Sequence, residues 1–385
     1  MSAELLDDAA ALAPQIREAA EETERARRLP QSLVDEMAHA GIFRMCVPRS
    51  LGGGEIDPAT IARVLESVAR ADGSAGWCAM IGATSGLVAA YLEPGAAREI
   101  YGSSPDVVTG GVVMPGGKAI AVDGGFRVTG RWPFASGCEH SDWLMGGSVV
   151  LDAGKPRLLP NGAPDPRLML FPAADVRVLD TWTVSGLRGS GSHDFEVADV
   201  FVPASRSVSI VTDPPQERGP LFAFPLFGLL AVGIAAVALG IGRRAIEELT
   251  ALAAGKTPSG SRRLLRDRPM VQVQVAEAEA TLLAGRALLF DALGHAWRAA
   301  ERDGRLDVAD RASLRLAATH ATRSSARAVD LVYDSGGGSS IYASSPLQRC
   351  FRDVHVVTQH MMVGAPTYEV AGRVLLGLDT DVSML

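Results

Sequence analysis

The stretch that decides the fold is RCFRDVHVVTQHMM, residues 349–362 of 385. It follows a loop, residues 335–340, that contains three consecutive glycines at 336–338. Apart from two histidines, His355 and His360, and the RxxRD arginines and aspartate, the stretch is uncharged. The pattern predicts a short helix that carries His360 toward an enclosed site, with the remaining chain as the container.

Composition bounds the possible classes of protein. The chain has 47% hydrophobic residues and a net charge of −7, so we expect a globular protein without general affinity for nucleic acid. Its length allows two or three domains with a shared core. The cysteines lie far apart and form no CxxC pair, which favours reduced, buried thiols in a cytoplasmic protein over disulfides or a metal site. They are Cys46, Cys78, Cys138 and Cys350.

One segment imitates a membrane span. Residues 221–242 contain no charged side chain, and about 18 apolar residues in a row already qualify as a candidate. The segment contains Pro225, and its second half is rich in Ala and Gly, which suits close packing between helices. We therefore predict a buried helix. The N-terminus lacks the basic and apolar regions of a signal peptide.

Periodicity changes twice along the chain. Helical spacing is typical of residues 1–104, where Asp57 before Pro58 predicts an N-cap and Gly41 a helix end. Period-two runs follow and predict an antiparallel barrel or sandwich. Helical spacing returns from residue 226. The period-two runs are 107–114, 118–122, 125–133, 143–151, 167–171, 176–179, 194–197 and 200–202; the later helices are 226–254, 270–300, 308–334 and 366–377.

Common nucleotide and hydrolase motifs are absent from the sequence. GKT at residues 255–257 resembles the end of a phosphate loop, but the first glycine of that motif would have to replace Thr250. No GxSxG motif is present, so the sequence offers no position for the nucleophilic serine of a serine hydrolase.

Three blocks together resemble the acyl-CoA dehydrogenase superfamily: GRWPFASGCEHSDW at 130–143, DTWTVSGLRGSGSHDFEVADVFVP at 180–203 and PLQRCFRDVHVVTQH at 346–360. The resemblance covers nearly the whole chain and implies an α+β fold. We expect an N-terminal helical domain at 1–104, a central antiparallel β-domain at 105–212 and a C-terminal four-helix bundle at 213–385. The family also implies a homotetramer.

Within this family, the absence of a carboxylate base distinguishes this chain from the dehydrogenases. Dehydrogenases of this fold use an Asp or Glu to remove a proton from the thioester. One branch carries it nine residues after the Arg of the RD pair, where this chain has Met361; the other carries it early in the bundle, within residues 226–236, where this chain has neither Asp nor Glu. The chain therefore resembles the two-component monooxygenases of the same fold.

That resemblance implies a cofactor and partners. Such enzymes take reduced FMN or FAD from a separate NAD(P)H:flavin reductase, react it with O2 to a C4a-(hydro)peroxyflavin, and oxygenate a small apolar or aromatic substrate. Neither nucleic acid nor a membrane is an expected partner. Phenol hydroxylases of this branch often carry a histidine on the helix at 77–90, where this chain has Thr84 and Ser85. Indoles, polycyclic ketones, thiophenes and amines therefore stay open as substrates.

The resemblance also assigns residues. Ser136 is expected at the flavin N5/C4a edge, with a turn-capping serine as the alternative. His360 is expected to act as acid or base, because histidine titrates near ~6.5, with a core histidine as the alternative. The expected cofactor-binding residues are Trp132, Phe134, Ser136, Arg188, Ser190, Arg262, Arg266, Gly336, Gly337, Gly338 and Arg352.

Several alternatives stay open at this point. Arg352 and Asp353 are equally consistent with a buried structural ion pair, and the triple glycine with a flexible turn. His193 is expected to face the flavin cradle, and Trp182 to pack on an aromatic ring. Two other functions remain, an acyl-CoA dehydrogenase or oxidase with a relocated base, and a non-catalytic flavin-fold binding protein.

Overall fold

A computed structural model describes residues 2–160 and 162–385, and its N-terminal part is helical as predicted. The Asp57 carboxylate accepts a hydrogen bond from the Thr60 N–H at 2.9 Å and caps α3. Gly41 takes the left-handed conformation, with φ 74°, just after α2. The helices are α1 Ser2–Ala26, α2 Gln31–His39, α3 Pro58–Ala71, α4 Gly73–Ser85 and α5 Pro94–Tyr101.

The central part is one sheet of eight strands in the order β6-β7-β2-β1-β3-β5-β8, with β4 paired to β3. Two pairs of predicted runs merge, one into β1 and one into β7, because bulges interrupt the pairing of these strands without ending them. The strands are β1 Thr109–Val122, β2 Gly125–Ala135, β3 Trp143–Asp152, β4 Lys155–Pro156, β5 Pro166–Pro172, β6 Arg177–Leu179, β7 His193–Pro203 and β8 Ser207–Val208.

The prediction of a purely antiparallel β-domain is wrong for one pair of strands. β1 and β3 pair in parallel, from Thr109 opposite Trp143 to Ile120 opposite Leu151. The hairpin at residues 122–125 places β2 antiparallel on one side of β1, and the connection at residues 136–142 then carries the chain across to the other side. After two reversals β3 runs in the direction of β1, so the sheet is mixed.

The C-terminal part is the predicted helical bundle. α7 packs against α3, α4 and α9, α8 packs against α9, and α10 fills the groove between α7 and α9. By length and composition α7 is apolar enough to cross a membrane, but 78% of its most apolar stretch is buried inside the protein. This confirms the prediction of a buried helix. The helices are α6 Pro220–Ala223, α7 Leu226–Gly255, α8 Pro269–Asp303, α9 Val308–Gly336, α10 Pro346–Val357 and α11 Pro366–Leu375.

The helix expected at residues 349–362 ends earlier than predicted. α10 stops at Val357, and the N–H groups of Gln359 and His360 then bond three residues back, in a tighter turn. The buried Arg315 of α9 donates to the Met362 carbonyl at 3.0 Å and holds this turn. His360 therefore lies on a turn after the helix, and His355 bonds Asp330 instead.

We expect Asp57→Ala to lower the free energy of unfolding by about 1 kcal/mol, because the Thr60 N–H would lose its partner. Urea unfolding measures this change. Asp57→Asn is the matched control, since asparagine caps helices about as well as aspartate, and an equal loss in both variants would contradict the capping role.

Candidate functional site

The end of β2 presents an aromatic ring to solvent. Phe134 is 69% exposed and has φ 64°, a conformation that bulky residues rarely adopt and that concentrates at functional sites. The ladder between β2 and β7 is irregular between Trp132 and Ala135, which accommodates it. The Trp182 and Phe134 rings pack nearly perpendicular to each other, with their centroids 6.2 Å apart and an interplanar angle of 85°. Together the exposed Phe134 ring and the buried Trp182 ring form an aromatic wall.

A chain of buried hydroxyl groups lies beside this wall. The Trp77 Nε1–H of α4 donates to Ser136 Oγ at 2.9 Å. Ser136 Oγ is 2.6 Å from Ser192 Oγ, which is 2.7 Å from Ser190 Oγ. Ser190 Oγ donates to the Leu187 carbonyl at 2.7 Å. Ser136 and Ser190 are thus in one network, together with Trp77 and Ser192, which no motif in the sequence indicated.

His193 orients the tryptophan of the wall. Its Nδ1 accepts the N–H groups of Thr181 and Trp182, both at 3.1 Å. With Nδ1 accepting, the neutral ring carries its proton on Nε2, which points toward a Glu139 oxygen 3.7 Å away. The ring is buried, and through these two bonds His193 fixes the loop before Trp182.

Asp353 ties α10 to the loop at residues 180–192, called here the serine loop because it carries Ser190 and Ser192. Its Oδ1 accepts the Leu187 N–H at 2.6 Å and so holds a leucine at φ 48°. Burial, and next the nearby Asp72 carboxylate, raise the pKa of Asp353 to about 7. A Cβ on Gly186 would lie 2.4 Å from the Arg352 carbonyl oxygen, so only glycine allows this approach of the loop to the helix.

His360 borders the same chain of groups. Its ring centroid lies 5.7 Å from that of Trp77, at an interplanar angle of 60°. Burial, and next the charge of Arg315, lower the pKa of His360 to about 4, well below the ~6.5 expected for a free histidine, so the imidazole is neutral at pH 7. Its Nδ1 accepts the Met362 N–H at 3.2 Å, which leaves a proton on Nε2 for donation.

Two predicted cofactor residues are corrected. The Trp132 side chain is fully buried in the core of the β-domain, stacked on Phe195 at 4.7 Å, and its Nε1–H donates to the Gly147 carbonyl at 2.6 Å. Regular alternation would place Trp132 and Phe134 on the same face of β2. The left-handed backbone at Phe134 and the register shift between Trp132 and Ala135 break that alternation, so Trp132 points into the core while Phe134 points to solvent.

Arg352 is the second predicted cofactor residue that the structure corrects. Its guanidinium bonds Glu24 of α1, the Gln348 side chain and the Ser185 carbonyl. Arg349 joins the same Glu24 at 2.9 Å. Arg352 thus holds α10 on α1 through Glu24, while Asp353 accepts the Leu187 N–H. Among the described residues it therefore forms neither the expected flavin anchor nor the alternative ion pair with Asp353.

The remaining predicted residues lie in two places. Arg188 is half-buried beside Ser190, and no ion pair or hydrogen bond of its guanidinium occurs among the described residues. Arg262 and Arg266 are exposed on the connection between α7 and α8. There the Lys256 Nζ donates to the Gly336 carbonyl at 2.7 Å, joining this connection to the glycine loop. Gly337 and Gly338 are exposed, and a Cβ atom added at either position would have no other atom within 4 Å.

Neither expected position of a proton-abstracting carboxylate is filled. Met361, 54% exposed, follows His360, and the first turns of α7 carry only apolar residues and glycine. The region around Phe134 and Ser136 thus combines an aromatic wall, a hydroxyl at the end of a buried chain, an imidazole whose proton is on Nε2, and the Arg188 guanidinium, for which the described part of the chain supplies no partner. These groups fit a planar, anionic cofactor such as a flavin phosphate.

Comparison with known proteins extends over the whole chain. Family models for the N-terminal and C-terminal domains of acyl-CoA dehydrogenase match residues 4–99 and 232–364. An indole-3-acetate monooxygenase of Pseudomonas putida is 36% identical, covering 92% of this chain and 89% of that protein. The flavin-dependent monooxygenase oxygenase subunit HsaA of Rhodococcus jostii strain RHA1 is 30% identical, covering 91% and 92%. The structure of XiaF from Streptomyces sp. with FADH2 and glycerol is 27% identical, with a TM-score of 0.92 and coverage of 100% and 98%.

We expect acidification to destabilise the fold through His360. Its pKa of about 4 in the folded state lies below the ~6.5 of an unfolded histidine, so the unfolded state binds the proton first as pH falls. Between pH 7 and 4.5 this removes roughly 2 kcal/mol. In His360→Gln that loss disappears from the pH dependence of urea unfolding.

His140, whose pKa burial also lowers to about 4, acts in the same direction and stays in the variant. His39→Gln, on the exposed face of α2, is the matched control. Equal pH dependence in the wild type and His360→Gln would show that the imidazole is not desolvated in solution.

Proposed function

The chain belongs to the acyl-CoA dehydrogenase superfamily, and we propose that it oxygenates an aromatic, mainly apolar small molecule at the cleft formed by Phe134, Ser136, Trp182 and His360. It is an enzyme, the oxygenase component of a flavin-dependent monooxygenase that uses reduced flavin. A separate flavin reductase therefore belongs to the system.

The observation that carries the proposed site is the Ser136 hydroxyl, buried next to the exposed Phe134 ring, with no Asp or Glu at either expected base position. When bound, the reduced flavin supplies the electrons that activate O2. In the proposal Phe134 and Trp182 would pack on the flavin, and Ser136 Oγ would face its N5 edge. The neutral His360 donates its Nε2 proton toward the substrate side, and the buried Trp77 keeps water out.

The Thr84 hydroxyl of α4 is already hydrogen-bonded inside the helix, and this favours a substrate ring that carries no phenolate. The Thr84 hydroxyl donates to the Met80 carbonyl at 2.7 Å, so its only proton is already used inside the helix. A phenolate beside α4 would find no free hydroxyl proton from Thr84, and the imidazole of His360, which is neutral at pH 7, would not offset its charge. Relatives are named for indole-3-acetate and for resorcinol, and of these two chemistries the structure favours the indole.

A neighbouring copy completes the flavin site in this proposal. Arg188 lies at the cleft, whereas Arg262, Arg266, Gly337 and Gly338 lie at the exposed end of the bundle, where exposed N–H groups and guanidinium groups suit phosphate. We propose that they serve the FMN or FAD of another subunit in a homotetramer. α8 supports this with exposed apolar residues: Met270 68%, Val273 60%, Leu283 48% and Leu288 41%. A cytoplasmic location, which the four buried free cysteines support, is part of the same proposal.

The direct test mixes the protein anaerobically with reduced FMN or FAD and then adds 18O2 and indole. We expect one 18O atom in the product, detected by mass spectrometry. The dehydrogenase alternative predicts instead that an acyl-CoA bleaches the bound oxidised flavin without O2. Retention of no flavin in either redox state would favour the non-catalytic alternative.

We expect Ser136→Ala to raise the H2O2 released per reduced flavin consumed, because the N5 edge loses its buried partner. We expect His360→Ala to lower the rate of product formation by on the order of 10²-fold, the usual contribution of a positioned proton donor. His295→Ala, at an exposed position on α8, is the control. Unchanged coupling and rate in both variants would remove these residues from the site.

We expect Val273→Asp to dissociate the tetramer, because it places a charge within an apolar subunit contact. Light scattering coupled to size-exclusion chromatography gives the mass, against 40.3 kDa for one chain. Val308→Asp, at the exposed start of α9, introduces the same charge elsewhere. A tetramer that survives Val273→Asp, or a monomeric wild type, would contradict this arrangement.

A further inference from the structure

We infer that the buried serine chain has a fixed direction and makes Ser136 a hydrogen-bond acceptor toward the flavin, so that the site selects reduced over oxidised flavin. This inference rests on the proposed function, which places the N5 edge of the flavin at Ser136. It adds Ser190 and Ser192 as positioning residues that act through Ser136.

The direction of the chain is set at its inner end. The Leu187 carbonyl has no proton, so Ser190 Oγ, 2.7 Å away, must give its only proton to it. Ser190 Oγ can then only accept from Ser192, at 2.7 Å. With its proton used, Ser192 Oγ can only accept from Ser136, at 2.6 Å. The Ser136 proton is therefore directed into the protein.

The outer end of the chain reinforces this direction. The Trp77 indole nitrogen can only donate, and it donates to Ser136 Oγ at 2.9 Å. A serine oxygen offers two acceptor positions and one proton. Ser136 has thus used its proton and one acceptor position, and a single lone pair remains for the cleft.

Burial prevents the chain from reversing. Ser136, Ser190 and Ser192 are 4%, 1% and 3% exposed, so water offers no alternative partners. A reversed chain would direct the Ser136 proton outward and leave Ser190 Oγ and the Leu187 carbonyl oxygen 2.7 Å apart with no proton between them, although that carbonyl would keep the Trp182 indole as a donor. An indole donor at one end and a carbonyl acceptor at the other allow only one fully satisfied arrangement.

The two redox states of a flavin differ at the atom that Ser136 faces. N5 of a reduced flavin carries a hydrogen and donates, whereas N5 of an oxidised flavin has only a lone pair. The remaining lone pair of Ser136 complements the N5–H and opposes the lone pair of the oxidised form. The site therefore holds the reduced flavin that the reductase delivers, and it releases the oxidised flavin, which returns to the reductase.

The test compares the dissociation constants of oxidised and reduced FMN in each variant. Quenching of flavin fluorescence gives the first, and anaerobic equilibrium dialysis with dithionite-reduced FMN gives the second. The wild type should bind reduced FMN more tightly. Ser192→Ala frees the Ser136 proton to meet the oxidised N5, and the ratio of the two constants should fall about tenfold, the equivalent of about 1.4 kcal/mol. Ser192→Thr keeps the hydroxyl and should restore the ratio.

Two further variants keep the test decisive. Ser190→Ala removes the acceptor of the Ser192 proton, permits reversal and should also lower the ratio. Ser141→Ala removes a neighbouring buried hydroxyl that donates to the Gly137 carbonyl at 2.9 Å, outside the chain, and should leave the ratio unchanged.

The outcomes separate this inference from the proposed function. A ratio in Ser192→Ala and Ser190→Ala that stays within about twofold of the wild type, while Ser136→Ala changes it, overturns the fixed direction but keeps the flavin at Ser136. A wild type without preference for reduced FMN overturns it as well. If all three alanine variants bind both forms as the wild type does, the flavin is not at Ser136 and the proposed site fails.

Discussion

The structure depends on one buried hydrogen bond, from the Leu187 N–H to the Asp353 carboxylate. It connects α10, which belongs to the helical bundle, with the loop that precedes β7 of the sheet. Through Leu187 it also fixes a carbonyl that accepts from the Trp182 indole at 3.1 Å and from Ser190 Oγ at 2.7 Å. The aromatic wall and the serine chain therefore share one backbone anchor, and that anchor is held from the bundle.

This bond is formed at a cost. Burial and the nearby Asp72 raise the pKa of Asp353 to about 7, so the charged carboxylate is disfavoured in the fold at neutral pH. Asp72 is itself committed to the N-terminus of α4, where it accepts the Ala75 N–H at 3.0 Å. The two carboxylates hold the two elements, α4 and the serine loop, that meet at Ser136. A stability cost of this kind is typical where geometry at a functional site takes precedence.

Much of the fold and part of the site could be predicted from sequence. Asp57 caps its helix, the charge-free α7 is buried, and the three blocks place Phe134, Ser136 and Ser190 in one region. The errors share a cause. Trp132 has the same motif signal as Phe134, and regular alternation would put both on one face, but the irregular backbone at Phe134 separates the exposed ring from the buried one. Arg352 is basic and near the site, but its charge is paired with Glu24, which is 328 residues away in the chain.

The sequence by itself determined what is local or compositional: the helix–strand–helix order, the caps, the missing carboxylate beside His360 and the membership of the superfamily. Tertiary structure alone decided the parallel pairing of β1 and β3, the end of α10 before His360, and the desolvation that lowers the pKa of that histidine to about 4. It also decided the direction of the serine chain. Each of these depends on groups brought together from distant parts of the chain, and hydrogen-bond direction and burial exist only once those groups are in contact.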